Sequence, residues 1–399
     1  MSHDMSARPV PRREFIATGA AAAFTLLGAG SARAVEANGK LELGLIGCGG
    51  RGQWIAKLFE EQGNAKVVAL HDYFQDRVDA LRDVFAVDPS RCYTGLSGFR
   101  RLLEGKLDAV AIESPPYFHP EQALAAIEAG KHLFLAKPVA VDVPGCQAIL
   151  EAGRKAKGKL SFLVDFQTRA NAIFREAVQR VRDGAIGQPV LGQCFYHTGR
   201  LGRRAEGDSP EARLRNWPFD IALSGDIIVE QNIHVIDVAA WLLDAQPLRA
   251  HGTGGRRVRT DVGDCWDHFV VTYWFPNDVI IDFSSSQFLR GFHDMCVRVF
   301  GSEGTVETHY GGEVWIHDGQ NWPGGNTGPI YQEGAVNNIK DFCASIDRKQ
   351  YLDNSAESVR SNLSAILGRL AAYRKGTVTW DEMMKANEKL EGKLAGLKA

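Results

Sequence analysis

The chain has 399 residues, room for two domains of ordinary size, and its 45% hydrophobic and 24% charged residues are the balance of a soluble globular protein. A formal net charge of −2 argues against the broad basic field that a nucleic-acid partner demands. The seven cysteines (Cys48, Cys92, Cys146, Cys194, Cys265, Cys296 and Cys343) are odd in number and singly spaced, so they form neither a disulfide framework nor a zinc ribbon and read as small buried apolar residues.

The first element is an address. Arg8, Arg12 and Arg13 precede an apolar run rich in Ala and Gly from Ile16 to Gly30. A spanning helix needs roughly 20 strongly apolar residues, and this run is shorter and weaker. It ends in Ser31-Ala32-Arg33-Ala34, a small-x-small cleavage site. Arg12-Arg13 followed by Glu14-Phe15-Ile16 fits a twin-arginine signal, which exports proteins already folded; an ordinary secretory signal is the plainer alternative. The sequence thus predicts a signal peptide over 1–34, engagement of the twin-arginine export machinery, no stable membrane insertion, and a periplasmic or secreted location. Folding in a reducing compartment before export agrees with unpaired cysteines.

From Leu41 strands and helices alternate. "LELGLIG" is a short apolar strand, and Gly47-x-Gly49-x-x-Gly52 is the turn, with Arg51 inside it on the cofactor side. Ile55, Leu58 and Phe59 then mark one face of a helix, and "KVVALHD" is a second strand ending in Asp72. The glycines permit a tight turn and close approach of backbone to a pyrophosphate at the helix N-terminus. Asp72 follows about twenty residues later, where a carboxylate accepts the ribose hydroxyls. Its charge repels a 2′-phosphate, which favours NAD over NADP; Arg77 either softens that preference or is a solvated helix residue. "LDAVAIESPP" and "HLFLAKPVA" are further strands around the helix "PEQALAAIEAG", so a doubly wound parallel sheet with its site at the strand C-termini is expected over 35–163. Ser114, His119 and Lys137 fall on the cofactor side. His119 either contacts the cofactor or caps the helix after it. Lys137, pinned by Pro138 at the end of a buried strand, has a pKa lowered toward the range of an acid–base group, or else serves as a phosphate-binding or surface lysine.

The ordered set of the twin-arginine signal, "GLIGCGGRG", "HD", "EAGKHLFLAKP" and "SGDIIVEQNIHVIDVAAWLL" resembles the Gfo/Idh/MocA family over nearly the whole mature chain. The resemblance implies an α/β fold: an N-terminal Rossmann domain with a doubly wound parallel sheet, then a C-terminal α/β domain with a large, mostly antiparallel sheet. It also implies oxidoreductase activity on CH–OH groups, a homo-oligomer (dimer or tetramer) built through the second sheet, and last helices that pack back on the first domain. The family's Glu-Lys-Pro motif falls on Ala136-Lys137-Pro138, keeping the lysine and losing the glutamate. Its Asp-x-x-x-His motif falls on Glu230 to His234, with glutamate for aspartate.

Read from the residues alone, "SGDIIVEQNIHVIDVAAWLLD" is one helix whose Glu230 and His234 share a face at i, i+4, with Asp237 at i+3 from the histidine. A carboxylate beside an imidazole makes a proton-transfer pair; a structural ion pair, or metal ligation together with Asp165, are the alternatives, and no metal is expected. Upstream, "FLVDFQTRANAIF" reads as a strand on which Asp165, Gln167 and Arg169 alternate, with Arg169 the candidate to reach substrate. Arg215, Asn216 and Trp217 suit a sugar, with donors for hydroxyls and an indole face for the ring, although a core tryptophan is an equal alternative. Period-2 runs such as "CWDHFVVTYWF" and "VIIDFSSSQF" then predict an antiparallel sheet, and "NWPGGNTGP" a surface loop. This substrate and oligomerisation domain spans 164–380, and 381–399 reads as a charged, exposed helical tail.

Lys137 and His234 are therefore the acid–base candidates and Glu230 the orienter, in hydride transfer between a sugar hydroxyl and NAD. An export signal on such a chain is consistent with a cofactor that is bound before export and recycled by a second carbonyl substrate. Two other readings stand beside it: an NAD-dependent glycosidase or lyase without net redox, and a non-catalytic carbohydrate-binding relative.

Overall fold

A computed structural model gives the coordinates of the chain and describes residues 39–399; the export signal predicted over 1–34 lies outside the described residues. The apolar runs of the first half become β1 (Leu41–Ile46), β2 (Ala65–Asp72), β3 (Cys92–Thr94), β4 (Ala109–Ile112), β5 (His132–Ala136) and β6 (Phe162–Asp165). They form one parallel sheet in the order β3-β2-β1-β4-β5-β6. Every residue of β4 is buried, the signature of a strand covered on both faces. The covering helices are α1 (Gly50–Gln62), α2 (Gln75–Phe85), α3 (Gly98–Glu104), α4 (His119–Glu128) and α5 (Val143–Ala156). The strand order reverses between β1 and β4, and that switch point opens a crevice at their C-terminal ends.

The strand read across Asp165 to Arg169 stops at Asp165. Gln167–Ala170 is a helical turn, α6, and Asn171 then caps α7 (Ala172–Arg182) by accepting the N–H groups of Ile173 and Phe174. Asparagine at that position favours a helix start over a continuing strand. After β7 (Pro189–Gly199) come four short helices, α8 (Pro210–Arg215), α9 (Ile221–Ser224), α10 (Ile227–Glu230) and α11 (Ile233–Leu242).

The second sheet joins β7 to β8 (Arg249–Gly255), β9 (His268–Trp274), β10 (Ile280–Leu289), β11 (Asp294–Gly301), β12 (Gly304–His309), β13 (Glu313–Asp318), β14 (Trp322–Asn326) and β15 (Thr377–Thr379). Only β7 and β10 run parallel; the other ladders are antiparallel. On β9, Phe269, Val271 and Tyr273 are buried while Val270 is exposed, the alternation the sequence predicts. The stretch expected as a glycine-rich loop is instead the edge strand β14. A Cβ at Gly324 would lie 1.6 Å from the Val314 carbonyl, so the glycine is what lets this strand close on β13.

Helix α12 (Ile330–Asp347) packs on α1 and β6, and α13 (Ser355–Arg374) packs on α5 and under β8, so residues 40–399 form one unit. The last helix, α14 (Trp380–Ala386), opens on a Thr379/Glu382 capping box and stops at Asn387 in the left-handed conformation. The expected exposed helix does not continue. Residues beyond Asn387 run as an irregular segment, and Leu394 and Leu397 dock beside Phe74 and Leu214. No helix of the described residues is long and apolar enough to cross a membrane.

Candidate active site

A cavity of about 780 Å³ lies at the C-terminal ends of the first sheet, walled on its other side by α8, β7 and the α10–α11 junction. Its floor is the glycine turn. A Cβ at Gly47 would sit 2.5 Å from the Glu113 backbone, and one at Gly52 only 1.9 Å from the Gly47 carbonyl. These two glycines let turn, helix and β4 close on one another. Gly50, by contrast, has nothing within 4 Å of its Cβ position, and Gly49 meets only Arg77 at 3.8 Å. The first turn of α1 has no side-chain cap, so its free N–H groups lie on an open, anion-sized cradle.

Asp72 ends β2 at the rim of that cradle, almost fully buried. Its Oδ2 accepts the Cys48 N–H at 2.8 Å and its Oδ1 accepts the Phe74 N–H at 2.9 Å. Arg77 sits 3.7 Å from the same carboxylate. Open space at Gly50, uncapped donors and a fixed acid together fit a dinucleotide, with pyrophosphate on the turn and ribose on Asp72.

Ser114 and His119 also line this cavity. Ser114 Oγ donates to Gln122 at 2.6 Å. His119 caps nothing with its ring; Nδ1 lies 2.8 Å from the Pro138 carbonyl and Nε2 2.7 Å from that of Ser114. The ring therefore braces the ends of β4 and β5 against each other. Burial pushes its pKa down to about 4 against the pull of both carbonyls, with the Lys137 charge adding to the effect.

Lys137 reaches in from the end of β5. Its Nζ donates to the Glu230 carbonyl at 2.6 Å and lies 4.0 Å from the Glu230 carboxylate. Burial lowers the lysine pKa, Glu230 opposes that, and the Arg51 charge lowers it further. His234 lines the same space, set between the rings of Phe166 and Tyr310, with its unpartnered Nδ1 turned into the protein and shut off from solvent. Burial, then Lys137 and Arg51, hold its pKa well below the ordinary value, so the imidazole is neutral.

The single helix expected over this stretch is broken. Glu230 closes α10 and His234 lies in the first turn of α11, with Gln231 and Asn232 turning the chain between the two helices. The Gln231 side chain is held at 2.9 Å by Gln287 of β10. The break, rather than stacking on one helix face, puts both candidates on one wall of the cavity, and there Glu230 turns to Lys137 instead of orienting His234. Asp237 does not orient the histidine: Arg169 and Ser361 occupy it.

Three candidates are placed otherwise than the sequence suggests. Arg169 turns from the cavity to a buried clasp, donating to Asp237 at 2.8–3.1 Å and to Glu357 at 2.5 Å. Arg215 lies outside the wall, bonded to Asp76 at 2.7 Å with its guanidinium 3.8 Å from the Phe74 ring centre. Opposite charge and an aromatic face hold each of them where it is. Arg51 lines the cavity, but its guanidinium is taken up by two fully buried carboxylates, Glu113 at 2.9 Å and Asp165, and by the Tyr331 hydroxyl at 2.8 Å. Trp217 does line the cavity, with Arg204 5.4 Å above its ring.

Glu113, Tyr331, Tyr196 and Arg204 are wall residues that sequence reading missed. Glu113 carried a signal: like Lys137, it is a charged residue that ends a fully buried strand on the crevice side. Burial raises its pKa to about 7, with Arg51 opposing. Asp165 is engaged by Arg51, by Gln167 at 2.9 Å and by Asn338 at 2.8 Å, so it is not poised to join Glu230 and His234 around a metal ion.

Residues 41–164 match the oxidoreductase family with an NAD-binding Rossmann fold called GFO/IDH/MocA, and residues 174–307 match the GFO/IDH/MocA C-terminal domain. The chain belongs to the GFO/IDH/MocA oxidoreductase family. It is 28% identical over 277 residues to the inositol 2-dehydrogenase of Acidothermus cellulolyticus, covering 67% of this chain and 72% of that one. Among solved structures, an oxidoreductase domain protein from Kribbella flavida superposes with a TM-score of 0.73 at 18% identity, over 85% of this chain and 99% of that one. A levoglucosan dehydrogenase, solved with NADH and levoglucosan, superposes at 0.70 and 20% identity, over 86% and 99%. NAD is the cofactor of this GFO/IDH/MocA Rossmann domain, and the open glycine turn and Asp72 line a cavity that fits it. Ala136 is the register partner of Asp165, and Glu113 follows the strand on its other side, both acids being paired with Arg51.

Proposed function

We propose that this chain is an exported, NAD-dependent oxidoreductase that oxidises a hydroxyl of a sugar or sugar derivative and keeps its cofactor bound, recycling it with a second carbonyl substrate. The observation that carries the reading is the convergence of Lys137, Glu230 and His234 on the wall of the one cavity that also holds the glycine turn and Asp72. Trp217 and Arg204 on the same wall offer a flat apolar face and donors for hydroxyl groups.

The bound nicotinamide supplies a hydride acceptor. Everything else is done by side chains. A neutral His234 on the cavity wall is a ready acceptor for the substrate hydroxyl proton. Lys137, fixed by the Glu230 carbonyl, holds the substrate oxygen by hydrogen bonding; when the second carbonyl substrate is reduced it donates a proton to the carbonyl oxygen and is reprotonated by the proton held on His234. Glu230 keeps the lysine aimed and offsets its charge. His234 is buried and the Lys137 and Glu230 side chains are only 12% and 17% exposed, which limits the access of water to the path of the proton.

The exported location and the twin-arginine route rest on the predicted signal over 1–34. A dimer or tetramer built through the uncovered face of the second sheet, where Val190 and Val270 are exposed, belongs to the same reading. Protein purified from the periplasm and denatured should release one NAD per chain, seen by mass spectrometry. Release of no dinucleotide, or of NADP alone, contradicts the reading.

A further inference from the structure

We infer that the C-terminal segment 388–399 is part of the cofactor site, a strap that fastens the adenosine lip of the cavity and sets how slowly NAD leaves. The inference rests on the proposed reading that the cofactor stays bound from one turnover to the next.

The lip is defined by Asp72. With ribose on that acid and pyrophosphate on α1, the adenine end points past the next residues of the chain, Tyr73 and Phe74, and past Gly95 and Leu96 at the end of the neighbouring β3. All four line the cavity. Across the mouth stand Leu214 and Trp217, which come from the second domain.

The strap ties these two lips together from outside. Leu394 and Leu397 pack against the cluster of Phe74, Leu214 and Leu223, which mixes residues of both lips. Its far end pairs with the first domain. The Lys398 N–H donates to the Tyr73 hydroxyl at 3.1 Å, and the Leu96 N–H donates to the Lys398 carbonyl at 3.1 Å. Gly95 leaves room for this: a Cβ there would lie 2.4 Å from the Ala399 carbonyl.

Its near end is held by the second domain and by the start of α5. Arg213 donates to the carbonyls of Gly392 at 2.7 Å and Lys393 at 2.9 Å while also clasping Asp220. The Leu390 N–H donates to Asp142 at 2.8 Å, on the carboxylate oxygen that α5 does not use. The polar backbone of a solvated tail would bond to water; here it bonds to both domains. Parting the lips therefore means breaking these bonds and exposing two leucines, so the strap opposes the motion by which a dinucleotide leaves.

The test compares the full chain with a chain ending at Asn387 and with the double variant Leu394→Ser/Leu397→Ser, which keeps the chain at full length. Dissociation of NAD is followed by dilution into excess competing dinucleotide, and thermal melting of the cofactor-free forms checks that each is folded. Release at least about tenfold faster from either folded variant, with affinity weakened in step, is the expected result. Release within about twofold of the full chain in both variants overturns the inference. Should the purified full chain carry no dinucleotide, the retained-cofactor reading falls. The strap is then judged by NAD titration alone, where equal affinities in all three forms overturn it.

Discussion

Arg169 separates a substrate-binding role from a structural one, and replacing it by methionine decides between them. Its guanidinium makes three contacts with the Asp237 carboxylate at 2.8, 3.0 and 3.1 Å and one with Glu357 at 2.5 Å. The Asp237 side chain is fully buried, with Ser361 as its other partner at 2.6 Å. Methionine keeps most of the stem but strands a buried carboxylate with one hydroxyl donor. Removing one partner of a buried pair destabilises by about 3–5 kcal/mol, and the exposed Glu357 contact adds little to that. Arg169→Met should thus lower the free energy of unfolding in urea by that amount. Arg169→Met/Asp237→Asn, which removes the stranded charge and keeps an acceptor for Ser361, should recover more than half of the loss. KM for the sugar and kcat should stay within about twofold of the parent in both, since the arginine does not line the cavity. A fully stable Arg169→Met with a raised KM would return this residue to the substrate site and refute the reasoning.

Other expectations follow from the same geometry. Lys137→Met should leave NAD bound and the fold intact while kcat falls by about 10²–10⁴-fold, measured by single-turnover kinetics; a smaller loss removes Lys137 from the proton path. Asp72→Ser should weaken NAD by roughly 1–3 kcal/mol and improve NADP relative to it, because Arg77 at 3.7 Å then faces no opposing carboxylate; unchanged affinities for both on titration mean that Asp72 does not meet the ribose. Glu113 is protonated more readily folded than unfolded, its pKa raised from 4.5 to about 7. The folded state then binds the extra proton between those values, so stability falls as pH rises from about 4.5 to 7 and levels off above. Glu113→Gln should flatten that decline in urea unfolding curves taken across the window, and an unchanged slope would assign it to other groups.

What could be read in the sequence, and what could not, divides by the range of the forces involved. The glycine turn and Asp72 are legible because their roles are local: Gly47 and Gly52 must close a turn within six residues of each other, and Asp72 ends a strand. Lys137 was found by its strand-end position, and Glu113, by the same rule, ought to have been. Arg169 and Arg215 were misplaced because their partners, Asp237, Glu357 and Asp76, lie far away in sequence and leave no local mark. The break between Glu230 and His234 is invisible for the same reason, since Gln287 on β10 helps to hold Gln231 out of the helix. The tail, which its charges mark as exposed, is shaped by contacts that those charges do not show. Leu390, Leu394 and Leu397 stand at helical spacing, but Gly392 and Gly396 interrupt them, and contacts with Tyr117 and Phe74 decide the outcome.

The central claim, that Lys137, Glu230 and His234 move the proton while a resident NAD takes the hydride, is tested most directly by one half-reaction. Purified protein with NAD bound is mixed with a panel of sugars and sugar derivatives, without any acceptor, and the near-ultraviolet absorbance of reduced nicotinamide is recorded. The account predicts a rise to one equivalent per chain with at least one sugar, its decay when a carbonyl compound is added, and no rise in Lys137→Met or His234→Asn. Tight binding of sugars with no absorbance change in the wild type, or release of a leaving group with no need for an acceptor, would contradict it.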